Sequence, residues 1–223
     1  MTLTQTRGEL LSPPGRAFDE DYFENGLITG KSAYTNYSWL PELTLPLCHE
    51  ILWQLAIAPE ETILDFGCAK GFMVKAFRLL HREAWGVDIS AYAIAQAPLD
   101  VRPYVSRIDS PDDIPTGSGR RFSWGIAKDV LEHIPPPDLD KTLSRLRACC
   151  DRLFVVVPLG DGRTFVAPEN NLDTTHVVCQ DLDWWSQRHA TSGWHVDLAS
   201  FSMPHIKKRY EKVTGSTGFF VLS

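Results

Sequence analysis

Residues 63–71 read ILDFGCAKG, and this stretch decides the fold. The apolar run over 62–66 is typical of a strand that is buried in a sheet. Gly67, Ala69 and Gly71 follow at alternate positions, and small residues with this spacing let a ligand approach the backbone closely. A helical pattern comes next, so its N-terminal amides would point at the same turn. The stretch therefore predicts a strand, a ligand-binding turn and a helix, as in α/β folds.

The alternation of strand and helix continues along the chain, which predicts a mostly parallel sheet with helices on both faces. The last two predicted strands have no long helical pattern between them, so the sheet is expected to end in an antiparallel hairpin. Together these elements predict an α/β fold with a seven-stranded sheet. The further predicted strands are 84–88, 101–105, 122–127, 153–157, 194–202 and 219–222, and the predicted helices are 41–58, 72–80, 91–97, 137–150 and 180–192.

The composition is ordinary for a globular protein. The chain has 223 residues, of which 43% are hydrophobic and 22% are charged. This length predicts one large domain, with an appendage at most, and a core that needs no disulfide or structural metal. The net charge of −6 disfavours a nucleic-acid partner, because binding to phosphates requires clustered positive charge.

Neither a membrane segment nor a signal peptide is predicted. The longest strongly apolar run, 153–159, contains Pro158 and is far shorter than the ~20 residues that a spanning helix needs. Glu9, Pro13 and Pro14 interrupt the N-terminus, unlike the apolar core of a signal peptide. The five cysteines include no C-x-x-C pair and are interpreted as reduced thiols, which favours a cytoplasmic protein.

An aromatic-rich N-terminal arm is predicted over residues 1–40, before a main domain over 41–223. Between residues 21 and 40 the aromatic side chains show no clean period. We interpret this segment as an arm or lid. Tyr34, Tyr37 and Trp39 are candidates either for covering a ligand or for packing the arm onto the sheet.

Asp88 is a second candidate ligand-binding residue. It ends the second predicted strand, 17 residues after Gly71, where an acid can accept hydrogen bonds from both hydroxyls of a ribose. Dinucleotide folds carry G-x-G-x-x-G, whereas this turn carries G-x-A-x-G with Asp65 two residues before Gly67. The turn resembles the first motif of the class I S-adenosylmethionine-dependent methyltransferases.

This resemblance extends over most of the chain. Residues 86–90 resemble the second motif of the family, 109–115 the loop after the third strand, 122–134 the fourth motif, and 153–160 the fifth strand with its loop. It implies a Rossmann-like domain that binds S-adenosylmethionine. Asp109 is implied to bind the adenine amino group, or else it only forms a turn, and Lys70 is expected to point to solvent. The implied cofactor-binding residues are Asp65, Gly67, Cys68, Ala69, Gly71, Asp88, Ile89, Asp109 and Tyr37.

Residues 129–133 read DVLEH and follow the fourth predicted strand. If they form one helical turn, Asp129, Glu132 and His133 share a face, and His176 follows the fifth strand. Two carboxylates and two imidazoles could hold Mg²⁺ or another divalent cation. The pattern resembles the Glu-x-x-Glu-His metal motif of small-RNA 3′-terminal 2′-O-methyltransferases and of ubiquinone-pathway O-methyltransferases, with Asp129 in place of the first Glu.

The resemblance implies methyl transfer to a hydroxyl of a small polar acceptor, with a saccharide or sugar nucleotide favoured. Asp129, Glu132 and His133 are the candidate catalytic residues, either as metal ligands or with His133 as a metal-free general base for O- or N-methylation. His176 could instead be a structural histidine of its loop. An RNA 2′-O-methyltransferase, a non-catalytic S-adenosylmethionine-binding subunit and a nicotinamide oxidoreductase are the remaining alternatives. The acidic charge disfavours the RNA methyltransferase, and the intact Asp/Glu/His cluster disfavours the non-catalytic subunit. The glycine spacing disfavours the oxidoreductase.

Overall fold

A computed structural model describes residues 15, 17–114, 121–207 and 213–223. In these ranges the chain forms seven strands and seven α-helices. The strands are β1 (Thr62–Phe66), β2 (Glu83–Asp88), β3 (Val105–Arg107), β4 (Phe122–Lys128), β5 (Cys150–Pro158), β6 (Val196–Ser200) and β7 (Thr217–Leu222). The helices are α1 (Glu20–Glu24), α2 (Gly26–Thr29), α3 (Pro41–Gln54), α4 (Phe72–Leu79), α5 (Ala91–Ala95), α6 (Pro136–Cys149) and α7 (Leu182–Thr191).

The seven strands form one sheet in the order β3-β2-β1-β4-β5-β7-β6. Strands β1 to β5 pair in parallel, whereas β7 runs antiparallel to both β5 and β6. The predicted Rossmann-like sheet with a terminal antiparallel hairpin is confirmed. The strand order reverses between β1 and β4, and the crevice at the carboxyl ends of such neighbouring strands is where open α/β sheets bind ligands.

Two apolar cores cover the two faces of the sheet. Successive side chains of a strand point to opposite faces, so in β4 Ala127 joins one core while Trp124 and Ile126 join the other. Helices α6 and α7 close the first core, and α3 and α4 close the second. The principal helical residues are Leu139, Leu143, Leu146 and Trp185 in the first core and Ile51, Val74 and Phe77 in the second.

The largest boundary differences from the prediction, four residues each, are at the start of the third strand and at the end of the first long helix. The third strand is Val105–Arg107 rather than 101–105, because residues 102–104 form a 3₁₀ turn. Pro103 in that turn has no N–H to give to the ladder of a sheet. The helix predicted over 41–58 ends at Gln54, and Ala56 has a φ of +50°, which an α-helix does not allow. Among the described residues, no helix is long and apolar enough to cross a bilayer.

His189 is a fully buried histidine in the core beneath α7. Its ring packs against Trp185 and Phe220, and neither ring nitrogen has a hydrogen-bond partner among the described residues. Burial lowers the pKa of His189 to about 3. The neutral imidazole is therefore the form that the native state requires.

This burial makes folding sensitive to pH. Between pH 6.5 and about 3, the unfolded chain binds a proton at this histidine and the native chain does not. The free energy of unfolding is therefore highest above pH 6.5 and decreases as the pH falls. This decrease amounts to about 2 kcal/mol between pH 7 and pH 5. We expect His189→Phe to lack this decrease in unfolding free energy when denaturant unfolding is measured at pH 7 and at pH 5. His195→Gln, at an exposed histidine, should keep the wild-type loss, and an unchanged loss in His189→Phe would contradict the prediction.

Candidate active site

The turn after β1 has the backbone that its small residues predict. Gly67, Ala69 and Gly71 all have positive φ, at +78°, +49° and +75°. A Cβ atom at Gly67 would lie 2.4 Å from a methyl carbon of Val130, in the turn after β4. Glycine at 67 is thus required by conformation and by the close approach of the two turns. The contact brings the predicted cofactor turn against the segment that carries Glu132 and His133.

Asp88 ties the turn after β1 to the end of β2. Its Oδ2 atom accepts a hydrogen bond from the Ala69 amide and its Oδ1 atom one from the Ser90 amide, both at 2.7 Å. Asp65 is buried beside them, and burial, followed by the nearby Asp88, raises the pKa of Asp65 to about 7. The two predicted cofactor acids therefore lie at one turn, together with Cys68, whose side chain is buried.

Asp109 occupies a different environment from the other predicted cofactor residues. Its side chain is 76% exposed and forms an ion pair with Arg107. The turn that follows is organised by Asp113, whose carboxylate accepts hydrogen bonds from the amides of Asp109 and Ser110. Pro115, at the end of the predicted loop motif, lies outside the described residues. Binding of adenine by Asp109 stays a prediction.

The expectation that Lys70 points to solvent is wrong. Its side chain is buried, its ammonium forms an ion pair with Glu24 of α1, and it donates a hydrogen bond to the Tyr37 carbonyl oxygen at 2.7 Å. The ammonium also lies 5.8 Å from the ring centroids of Tyr37 and Tyr92. The hydroxyl of Tyr92 donates to Glu24 at 3.0 Å. These contacts fasten the N-terminal arm onto the cofactor turn.

The arm also crosses the end of β2 and reaches the turn after β4. The Ser90 hydroxyl donates to the Phe18 carbonyl oxygen at 2.6 Å, and Gly15 approaches the backbone of Ile89. The ring of Phe18 packs edge-on against the ring of His133, with centroids 5.4 Å apart. Tyr37 packs on Phe72, the first residue of α4, at 5.2 Å. The arm therefore lies across the carboxyl edge of the sheet.

The predicted helical turn over 129–133 forms only in part. A 3₁₀ turn spans Leu131–His133, while Asp129 has a φ of +55° and lies outside it. The carboxylate of Asp129 accepts hydrogen bonds from the ammonium groups of Lys128 and Lys207, each at 2.6 Å. Burial alone would raise the pKa of Asp129, but the two lysines hold it well below its usual range. The structure places the Asp129 carboxylate in this ion network, and Asp129 is not a member of the group that Glu132, His133 and His176 form.

The structure brings Glu132, His133 and His176 together. One ligand atom of each lies within 4.8 Å of those of the other two, and among the described residues this is the group with that geometry. The Glu132 side chain is 1% exposed, and its Oε2 atom has no hydrogen-bond partner in the described part of the chain. The Glu132 carbonyl oxygen accepts from the amides of Val177 and Val178, which anchors the loop of His176.

The Nδ1 atoms of both imidazoles have hydrogen-bond partners. His176 Nδ1 lies 2.8 Å from the Asn170 carbonyl oxygen, which can only accept, so Nδ1 carries a hydrogen. His176 Nε2 lies 3.9 Å from Glu132 Oε1. His133 Nδ1 lies 2.8 Å from the Thr175 hydroxyl oxygen. Burial, and next the neighbouring His176, lowers the pKa of His133 to about 4, and burial raises the pKa of Glu132.

Several residues of this region carry no recognisable motif. The hydroxyl of Thr175 is hydrogen-bonded to the predicted site residue His133, Asp173 to Thr175 and to Tyr22, and Glu24 to Lys70 of the cofactor turn. Tyr22 and Asp173 are separated by 151 positions, Glu24 and Lys70 by 46, and His133 and Thr175 by 42. A local sequence pattern therefore contains no signal for them.

Comparison with known proteins identifies the class. Residues 40–207 match the family model of a methyltransferase domain, and the chain belongs to this family. No curated protein sequence matches it significantly. The fold, the family and the turn after β1 define a class I S-adenosylmethionine-dependent methyltransferase.

Solved structures of methyltransferases share the fold at low sequence identity. An S-adenosylmethionine-dependent methyltransferase from Archaeoglobus fulgidus aligns with a TM-score of 0.61 and 14% identity, over 82% of this chain and 96% of that one. The 1,6-didemethyltoxoflavin N1-methyltransferase of Burkholderia thailandensis aligns with a TM-score of 0.58 and 15% identity, over 82% of this chain and 79% of that one. The magnesium protoporphyrin IX methyltransferase of Synechocystis PCC 6803, with bound S-adenosylhomocysteine, aligns with a TM-score of 0.56 and 13% identity, over 80% of this chain and 84% of that one.

The contact between Gly67 and Val130 can be tested with a matched pair of glycines. Gly30 also has a positive φ, +70°, but a Cβ there would meet nothing within 4 Å. We expect Gly30→Ala to cost about 1 kcal/mol of unfolding free energy, the penalty of the backbone conformation. Gly67→Ala should cost about 3 kcal/mol, because Val130 must also move. Denaturant unfolding measures both, and equal losses would contradict the close approach of the two turns.

Proposed function

We propose that this protein transfers a methyl group from S-adenosylmethionine to a hydroxyl of a small polar acceptor, assisted by a divalent cation at Glu132, His133 and His176. A saccharide or sugar nucleotide is the favoured acceptor. One observation carries the proposal above the others. The buried carboxylate of Glu132 has an oxygen without a hydrogen-bond partner among the described residues, and it lies with the imidazoles of His133 and His176 in one group whose ligand atoms are within 4.8 Å of one another.

The electrostatics of this cluster favour a cation. A buried carboxylate without a partner costs several kcal/mol. His176 forms no hydrogen bond to this carboxylate, because its Nε2 atom lies 3.9 Å from Glu132 Oε1, beyond hydrogen-bond distance. A cation held by the carboxylate and the two imidazoles would compensate the buried negative charge.

The chemistry of the donor set narrows the choice of metal. Two imidazole nitrogens and one carboxylate oxygen suit Mn²⁺, Fe²⁺, Co²⁺ or Zn²⁺ better than Mg²⁺, which prefers oxygen ligands. Three protein ligands leave positions open for oxygens of an acceptor. Two neighbouring hydroxyls could fill two of these positions, which is the reason to favour a vicinal diol such as a sugar. Asp129 is not included in the proposed ligand set, because Lys128 and Lys207 occupy its carboxylate.

The proposed mechanism divides the work between two turns. The methyl donor would bind at the turn after β1, through Asp65, Asp88 and the residues predicted with them. The turn after β4, which contacts it through Gly67 and Val130, would hold the acceptor oxygen in line with the methyl group. A bound cation lowers the pKa of a hydroxyl that it ligates. Glu132, His133 and His176 would orient that hydroxyl, and the arm would exclude water from above.

The identity of the acceptor rests on this chemistry and not on the fold. The similar solved structures include a magnesium protoporphyrin IX methyltransferase, a 1,6-didemethyltoxoflavin N1-methyltransferase and a glycopeptide N-methyltransferase. The same fold therefore occurs with very different methyl acceptors. The net charge of −6 disfavours RNA. A cytoplasmic location is part of the proposal and rests on the reduced-cysteine composition.

A second candidate is metal-free methylation with His133 as general base. The hydrogen bond between His133 Nδ1 and the Thr175 hydroxyl supports it, because it leaves Nε2 free to accept a proton from an acceptor. Both candidates use the same cluster, and the requirement for a metal separates them.

Binding of Mn²⁺ alone tests the metal site. We expect the chelator-treated protein to bind Mn²⁺ in calorimetry, and Glu132→Gln to lose at least about 100-fold in affinity, because an amide replaces a charged ligand. Mn²⁺ should raise the melting temperature of the wild type and not that of Glu132→Gln. Glu169→Gln, in the 3₁₀ turn before His176, is the matched control and should bind like the wild type. Equal binding by wild type and Glu132→Gln would contradict the metal site.

Methyl transfer to a panel of acceptors tests the reaction. Radiolabelled S-adenosylmethionine would be incubated with hexoses, nucleoside-diphosphate hexoses, catechol and a short RNA, with and without Mn²⁺. We expect transfer to a vicinal diol that chelation abolishes and Mn²⁺ restores. Transfer that survives chelation but is lost in His133→Gln would support the metal-free base instead. Transfer to RNA alone would overturn the proposed acceptor class.

A further inference from the structure

We infer that Tyr22, Asp173 and Thr175 are positioning residues, which fix the orientation of the His133 ring and keep its Nε2 atom unprotonated. This inference rests on the proposed role of His133. The three residues form a chain of hydrogen bonds that starts in the arm and ends at the histidine. The hydroxyl of Tyr22 lies 2.8 Å from Asp173 Oδ2, and the hydroxyl of Thr175 bonds to Asp173 Oδ1. His133 Nδ1 lies 2.8 Å from the Thr175 hydroxyl oxygen.

The directions of these bonds follow from the groups themselves. A carboxylate can only accept, so Tyr22 and Thr175 both donate to Asp173. A hydroxyl has one hydrogen, and that of Thr175 is used toward Asp173. Toward His133 the Thr175 oxygen is therefore an acceptor, and Nδ1 of His133 must carry the hydrogen. The Nε2 lone pair is then available to a metal or to the proton of an acceptor, as both candidate mechanisms require.

The chain of bonds is shielded from water. Tyr22 is 4% exposed and the side chain of Asp173 is 8% exposed. The amide of Thr175 also donates to Asp173 Oδ1, at 2.9 Å, which fixes the loop around the carboxylate. A shielded, fully bonded network of this kind holds one geometry.

The N-terminal arm is consequently part of the active site and more than a cover. Tyr22 packs edge-on against Phe18, Phe23 and Tyr34 within the arm. The arm is joined to the loop of His176 a second time, because the amide and hydroxyl of Thr174 both donate to the Lys31 carbonyl oxygen. Seating of the arm therefore determines the position of Asp173, and through Thr175 that of His133.

Nitrogen-15 NMR of histidine-labelled protein tests the inference directly. In the full chain without metal, we expect His133, assigned through His133→Gln, to show the tautomer with Nδ1 protonated. Thr175→Val removes the hydroxyl oxygen that accepts the hydrogen bond from His133 Nδ1, so His133 should show a mixture of its two neutral tautomers. Thr175→Ser keeps the hydroxyl and should restore the wild-type spectrum. Thr44→Val, which removes a hydroxyl bonded to the Leu40 carbonyl oxygen at the start of α3, is the control and should leave His133 unchanged.

Affinity for Mn²⁺ alone provides the second readout. We expect Thr175→Val to weaken binding about 10- to 100-fold, as loss of a group that orients a metal-bound histidine does. Thr175→Ser should stay within about threefold of the wild type. Tyr22→Phe removes one hydroxyl from the aromatic cluster and should weaken binding in the same direction, which keeps the test informative if Thr175→Val does not fold.

The two readouts separate the inference from the proposed function. A wild-type protein that shows the expected tautomer but binds no Mn²⁺ would contradict the metal site and leave the positioning role intact. A wild-type His133 with Nε2 protonated would overturn the inference. An unchanged tautomer in both Thr175→Val and Tyr22→Phe would also overturn it, whatever the protein methylates.

Discussion

The buried carboxylate of Glu132 is the constraint around which the active-site edge of this protein is organised. It lies in the turn after the central strand β4, in one group with the imidazoles of His133 and His176. Its own backbone carbonyl holds the loop after β5 through Val177 and Val178. A carboxyl group buried in this way is either protonated or compensated by a positive charge, and the second case links the fold to the proposed cation site.

The topology explains why the two halves of the proposed reaction meet. Strands β1 and β4 are neighbours at the point where the strand order reverses, so the loops that follow them open onto the same crevice. The glycine at 67 lets these loops touch at Val130. The arm closes the crevice from the other side, held by Lys70 at the first loop and by Tyr22 at Asp173. The proposed donor and acceptor sites thus lie between three segments that are distant in sequence.

Much of this arrangement could be predicted from the sequence because its determinants are local. The stretch ILDFGCAKG fixes a strand, a turn and a helix by residue type and spacing alone, and DVLEH places Glu132 and His133 side by side. Asp129 could not be assigned in this way. Its φ of +55° and its ion pair with Lys207, 78 positions later, depend on tertiary structure. Lys70 was expected in solvent for the same reason, since its partner Glu24 lies 46 positions earlier in an arm with no regular pattern.

The most direct measurement is a crystal structure of the protein grown with Mn²⁺ and S-adenosylhomocysteine, with manganese located by its anomalous scattering. We expect one manganese ion, located by its anomalous peak, to be ligated by Glu132, His133 and His176 at about 2.0–2.3 Å. The nucleoside should lie at the turn after β1. Asp129 should keep its two lysines. Bound S-adenosylhomocysteine with no manganese at the three residues, or manganese held by Asp129 instead, would contradict it.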